Sequence, residues 1–245
     1  MIKDADEATL GNSFEVHTLA SGRSSFASTP DKLAAVLNVL RPSAVVASHS
    51  PTGGRTWPAP ATVAAPLAGN EQPAITASPT RAGHAYLAFA NFLSPDVLPR
   101  TNSLDFSRTT DGGAAWSSPV LIDQPSPLAI DFASKILVLP DKTLLAVFAR
   151  ADFAAGLGQI YAARSPDEGR TWLPPVLAVT KPFPPDAVDD KGIPLPQPGF
   201  PSTAVAPDGS VYVAFEDNTS SSSGAISVAR SRDGGRTWSS APLPG

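Results

Sequence analysis

The chain has 245 residues, room for one sizeable β domain or two smaller ones, and its 18 basic and 22 acidic side chains give a formal net charge of −4. No basic stripe exists to neutralise a phosphate backbone, which argues against nucleic acid as a partner. Cysteine is absent, so disulfides, thiolate metal sites and a cysteine nucleophile are excluded, while 27 prolines and 18 glycines suit short strands and frequent turns better than long helices.

Taken from the N-terminus, "MIKDADEATLGNSF" lacks the apolar stretch of a signal peptide, and no run in the chain approaches a membrane span. "SFEVHTL", Ser13 to Leu19, alternates like a strand. It reads as the last strand of a preceding unit or as a strand that closes an array. Four similar units then follow, over about 20–68, 70–128, 129–198 and 199–245. Their inner strand pairs are joined by the turn signals "TPDK", "SPTRAG", "LPDK" and "APDG". The strand after each turn is apolar: "LAAVLNVL" from Leu33, "AYLAFAN" from Ala85, "TLLAVFAR" from Thr143 and "VYVAFED" from Val211. A further strand comes next ("AVVAS", "LDFSR", "IYAAR", "ISVAR"), then one repeated motif, then a short closing run.

The motif occurs as "SPTGGRTW" (Ser50 to Trp57), "TTDGGAAW" (Thr109 to Trp116), "SPDEGRTW" (Ser165 to Trp172) and "SRDGGRTW" (Ser231 to Trp238). All four tryptophans of the chain close a copy, at spacings of 59, 56 and 66 residues (116−57, 172−116, 238−172). Each unit therefore reads as four short antiparallel strands with no sustained helical period, and four such units predict an all-β, radial array of about four blades. Within the motif, Asp233 is expected to accept hydrogen bonds from amides of its own turn, and Gly235 to take a positive φ. Ser231 and Thr237 should tie the hairpin ends, and Trp238 should enter the core. A serine beside an aspartate also suits a nucleophile, but none of His17, His49 and His84 recurs with the motif. The turn reads as structural.

The pattern Ser/Thr-x-Asp-x-Gly-x-Thr-Trp resembles the Asp-box, or bacterial neuraminidase repeat, of the sialidase superfamily. The match covers Ser165, Asp167, Gly169, Thr171 and Trp172, and likewise Ser231, Asp233, Gly235, Thr237 and Trp238. The second copy matches at Thr109, Asp111, Gly113 and Trp116 and has Ala115 for threonine. The first matches at Ser50, Gly54, Thr56 and Trp57, with Thr52 in the aspartate position, where a weaker turn is expected. The resemblance implies a β-propeller, whole or partial, with these turns on its outer rim. It also implies an extracellular or periplasmic setting, and either glycan or glycoprotein binding or sialidase-type glycoside hydrolysis. It implies no cofactor.

Sialidases hold the sugar carboxylate with three arginines, the first in an Arg-Ile-Pro motif that is missing here; Arg41 precedes Pro42 without the isoleucine. That departure points to a binding module, with a hydrolase or a structural fragment of a larger propeller as alternatives. Arg100 and Arg150 follow the second strands of their units and are the candidate clamps for a ligand carboxylate. Glu216 and Asp217 end the corresponding strand of the fourth unit and complete the candidate ligand-binding set. Tyr86, Tyr161 and Tyr212 lie in alternating runs that suit core rings. Asp186, Asp189 and Asp190 crowd one loop and could ligate calcium. An incomplete propeller would leave an open edge for partner blades or an oligomer.

Overall fold

A computed structural model describes residues 13–19, 44–52, 54–65, 69–92, 102–182, 201–217 and 225–243. Among them there is no helix, and no helix is long and apolar enough to cross a membrane. The short runs rich in Val, Ala, Leu and Phe form strands that build four antiparallel meanders. The first sheet holds β1 (Ser13–Leu19), β2 (Ala44–Ser50) and β3 (Ala61–Ala64). The second holds β4 (Gly69–Ala77), β5 (Ala85–Phe92), β6 (Asn102–Thr109) and β7 (Val120–Asp123). The third holds β8 (Ala129–Val138), β9 (Leu144–Asp152), β10 (Leu157–Ser165) and β11 (Val176–Pro182). The fourth holds β12 (Ser202–Val205), β13 (Val211–Asp217), β14 (Ala225–Ser231) and β15 (Ser239–Pro242).

One strand departs from the sequence reading. β1 pairs antiparallel with β2 along its whole length, from Ser13 opposite Ser50 to Leu19 opposite Ala44. It thus takes the place beside the motif-bearing strand that β5, β9 and β13 hold in the other sheets. Sequence order gave that place to the run from Leu33, which lies outside the described residues. Alternation in Ser13–Leu19 was the better guide to pairing than proximity to the motif.

The sheets pack face to face in chain order. β4 lies against β1, β8 against β4, and β12 against β8. Val45, Ala47 and Val63 meet Leu87 and Phe89 between the first two sheets. Tyr86, Leu104 and Phe106 meet Ile136, Leu144 and Phe148 between the second and third. Leu145, Val147 and Ile160 meet Val211, Val213 and Phe215 between the third and fourth.

Three of the four turns contribute a tryptophan to the seam on their preceding side. Trp116 packs into the seam between the first and second sheets, Trp172 into the next, and Trp238 into the last. Trp172 meets Phe106 edge-on with ring centroids 5.2 Å apart. Trp57 breaks the pattern. No described sheet precedes its own, and it stays 39% exposed.

Candidate functional site

The meanders place two different ends on the array. One end carries the fourfold turns and the β4–β5, β8–β9 and β12–β13 hairpins. The other carries the ends of β5, β7, β9, β11 and β13 with their connections, where the candidate clamps were expected.

At the turn end the motif works as a hydrogen-bonded corner. Asp233 Oδ1 accepts from the Ser231 hydroxyl (2.8 Å) and from the amides of Arg236 (3.0 Å) and Thr237 (2.9 Å). Its Oδ2 accepts from the Thr237 hydroxyl (2.6 Å), and Ser231 Oγ accepts from the Gly235 amide (2.8 Å). The third copy repeats these contacts around Asp167, with Ser165 and Thr171, and the second around Asp111, with Thr109 and the Ala115 amide. Together these donors outweigh the modest burial and hold the Asp167 carboxyl at about 2 and Asp233 well below the ordinary carboxylate range. In the first copy Thr52 Oγ1 takes the aspartate's place, accepting the Thr56 amide at 2.8 Å and lying 2.8 Å from the Thr56 hydroxyl. The turn forms there as well, on one acceptor oxygen instead of two. The leading hydroxyls Ser50, Thr109, Ser165 and Ser231 are each hydrogen-bonded within their own turn, so none of them is set up as a nucleophile. Arg55, Arg170 and Arg236 project outward from these turns and are exposed.

The opposite end concentrates buried charge between the second and third sheets. Asp131, at the start of β8, is fully buried, and its Oδ1 and Oδ2 accept from Arg150 Nε (2.7 Å) and Nη2 (3.0 Å). Asp123, at the end of β7, pairs with the same guanidinium. Arg150 also lies over the Tyr161 ring, 4.4 Å from its centroid. Asn102 locks the Asp131 backbone from both sides, donating to its carbonyl (2.5 Å) and accepting from its amide (2.9 Å). Burial raises the Asp131 carboxyl to about 7 despite the pull of Arg150. Beside this cluster two apolar side chains stand in solvent, Leu128 at 49% and Phe153 at 58% exposure. They are held together by the Phe153 amide donating to the Leu128 carbonyl (2.9 Å), and Leu128 carries a φ of 68°.

A second charged group bridges the third and fourth sheets. Lys181 donates from Nζ to the Glu216 carbonyl (2.6 Å), and burial lowers its pKa, with Glu216 and Asp217 opposing. Asp217 accepts from the Ser227 hydroxyl (2.8 Å), while Glu216 Oε2 is buried without a hydrogen-bond partner.

Of the expected ligand-binding residues, the structure thus places Arg150, Glu216 and Asp217 at one end of the array, in two clusters. Arg100 and the acidic loop 186–190 lie outside the described residues. Arg150 already carries two protein carboxylates, so the role of a free clamp passes from it. Tyr86 is buried as a core ring, and Tyr161 serves as the platform under Arg150. Among the described residues no group of three or more His, Asp or Glu side chains is placed to hold a metal. Sequence reasoning missed Asp123, Asp131, Asn102, Lys181 and Phe153. The available signal was an aspartate set inside an apolar strand, as in "AIDF" and "VLID", where an unpaired charge would be costly.

No family model matches the chain, and no curated protein does. Solved structures do. A protein of unknown function from Dyadobacter fermentans is 20% identical with a TM-score of 0.60, over 94% of this chain and 64% of that one. The leech intramolecular trans-sialidase is 13% identical with a TM-score of 0.61, over 97% of this chain and 50% of that one. The Penicillium chrysogenum α-L-arabinanase is 16% identical with a TM-score of 0.58, over 82% of this chain and 58% of that one. At these identities the likeness shows the fold. The chain spans half to two thirds of the length of the structures it matches.

Proposed function

We propose that the chain is an arc of a sialidase-type β-propeller whose fourfold turns are Asp-boxes, and that its loop end binds a glycan or glycoprotein without hydrolysing it unaided. The observation that carries this reading is the exposed Leu128–Phe153 pair beside the Asp123–Arg150–Asp131 cluster. A sugar presents an apolar C–H face, and an exposed apolar platform beside a polar cluster suits it. Arg150, spent on its two aspartates, is not available to a ligand carboxylate as an unpaired arginine would be. Sialidase and arabinanase neighbours support the carbohydrate class and leave the sugar open. Calorimetric titration with 3′-sialyllactose and with arabinobiose tests it. Saturable heat with one of them, lost in Phe153→Ala while the melting curve is kept, is expected; no heat with either sinks the reading.

The hydrolase alternative rests on one observation, the Asp131 carboxyl raised to about 7 by burial, the range that suits a general acid near neutral pH. Turnover of fluorogenic sialosides and aryl glycosides decides between the two. Activity abolished by Asp131→Asn in folded protein would replace the binding reading with the catalytic one.

A further inference from the structure

At the seam between the second and third sheets the protein seats a carboxylate of its own. Glu168 stands in the third sheet's turn where Gly112 and Gly234 stand in the second and fourth, and it takes a φ of 61°, a conformation that favours glycine. Its carboxylate reaches across to the second sheet. There it pairs with Arg81, lies 3.9 Å from Arg108 Nη1 and 3.7 Å from His84 Nδ1, and accepts from the Tyr86 hydroxyl at 3.4 Å. Arg108, the residue immediately before its own sheet's motif, also donates to the Glu168 carbonyl at 2.9 Å. An arginine ahead of one motif thus meets an acid inside the next.

The seam between the third and fourth sheets has the same frame with a second arginine in place of the acid. Arg164 stands where Arg108 does, and its Nη1 donates to the carbonyls of Gly234 (2.9 Å) and Asp233 (3.3 Å). Gly234 stands where Glu168 does; a Cβ there would lie 3.3 Å from Arg164 Nη1, but glycine carries no carboxylate. Arg236 of the same turn is close enough that burial and then its charge hold the Arg164 guanidinium below the ordinary arginine range. The carboxylates that Arg164 feels, Asp141 and Asp233, accept amides of their own turns at 2.9 Å, from Thr143 and Thr237, and neither forms an ion pair with it. Beside the two guanidiniums lies a cleft of about 250 Å³, walled by Pro166, Leu173, Pro174 and Val176. Leu173 and Pro174 hold the places of Ser117 and Ser118 in the second sheet and of Ser239 and Ser240 in the fourth, so these walls are apolar at this seam. All of the lining is at the turn end, whereas the strands flanking 20–43, 93–101, 183–200 and 218–224 end at the loop end.

We propose that this cleft binds a small organic carboxylate with a compact apolar body, its carboxylate seated between Arg164 and Arg236 and its body against Leu173 and Pro174. The occupant is argued from the molecule itself, because the preceding seam fills the equivalent place with the carboxylate of Glu168. Planar guanidinium forks match a carboxylate and hold it through charge-assisted hydrogen bonds. The apolar walls favour an anion carried on hydrocarbon over a fully hydrated inorganic one. This inference does not depend on glycan binding, which concerns the opposite end of the array, and a failure of either leaves the other standing.

Titration of the full chain with benzoate, followed by NMR at the arginine Nε–H groups and the leucine and valine methyls, tests it. Saturable shifts at Arg164, Arg236, Leu173 and Val176 are expected, with a Kd of about 1 mM or tighter. Acetate has the charge without the body and benzamide the body without the charge, and each should bind at least tenfold more weakly than benzoate. Arg236→Gln and Leu173→Ser, both at exposed positions, should weaken benzoate at least tenfold with the melting temperature unchanged. Gly234→Glu places an acid where Glu168 stands in the third sheet's turn and should abolish binding by filling the seat from within. No saturable shift up to about 20 mM benzoate overturns the proposal. So does acetate or benzamide binding as tightly as benzoate, or benzoate binding that both exposed variants leave unchanged.

Discussion

Gly169 shows why the fourfold turns tolerate so little change. Its φ of 80° favours glycine, and a Cβ there would overlap the Phe106 ring of the preceding sheet. Gly54 has the same backbone, φ 81°, with open space where the ring would be. Gly169→Ala should therefore combine backbone strain with overpacking, a loss on the order of 3 kcal/mol or more. Gly54→Ala should carry the strain alone, about 1–2 kcal/mol. Denaturant melts of the two variants separate the contributions, and equal losses would show that crowding at Phe106 counts for nothing. Asp167 makes the same corner sensitive to acid. Its folded carboxyl sits at about 2, below the ~3.9 of an unfolded aspartate, so its contribution is present above pH 4 and is lost as pH falls toward 2. Melting temperature in Asp167→Asn should accordingly decline less between pH 4 and pH 2 than in the parent chain, although it starts lower.

Strands carry the next level of explanation. β8 brings Asp131 into a fully buried position, and the fork of Arg150 from β9, shared with Asp123 from β7, makes that placement tolerable against the like charge of Asp123. Removing the partner leaves an uncompensated carboxylate, so Arg150→Ala should cost about 3–5 kcal/mol at pH 8. The sign of the pH effect follows from the raised folded pKa of about 7. Asp131 takes up its proton as pH falls, and the stability tied to that proton is present below about pH 4 and lost as pH rises through 7. The penalty in Arg150→Ala should therefore shrink at pH 5. A penalty of the same size at pH 5 and pH 8 would mean that Asp131 does not titrate there.

This cluster also marks where sequence reading stopped. The strands β5, β9, β10, β13 and β14 were legible because alternation and turn signals are local, and the corner chemistry of Asp233 was legible because every donor lies within six residues of it. Asp131 lies 19 positions from Arg150 and meets it across the β8–β9 pairing, while Asp123 lies 27 positions away on another sheet, and only the stacking of the two sheets brings it in. The exposure of Trp57 was likewise not legible, because the neighbour that buries the other three tryptophans is not encoded in the motif.

At the scale of the molecule, the seams among the described residues join sheets that are consecutive in the chain: the first to the second, the second to the third, and the third to the fourth. Such an array behaves as a one-dimensional chain of coupled units, in which each unit is stabilised by at most two neighbours. Among the described sheets, the second and third have two such neighbours and the first and fourth have one. Opening should then proceed by unzipping from the extremities, with a gradient of local opening free energies along the sequence. Native-state hydrogen exchange checks this: amides of β9 and β10 should be the slowest to exchange and those of β2 and β14 markedly faster, despite equally regular pairing. Uniform protection across all four sheets would show a single cooperative unit instead. The first contacts to give way would be those around Trp57, 39% exposed in the first sheet, and Ile226, 50% exposed in the fourth, so the described array would wear at its outer sheets while its middle held.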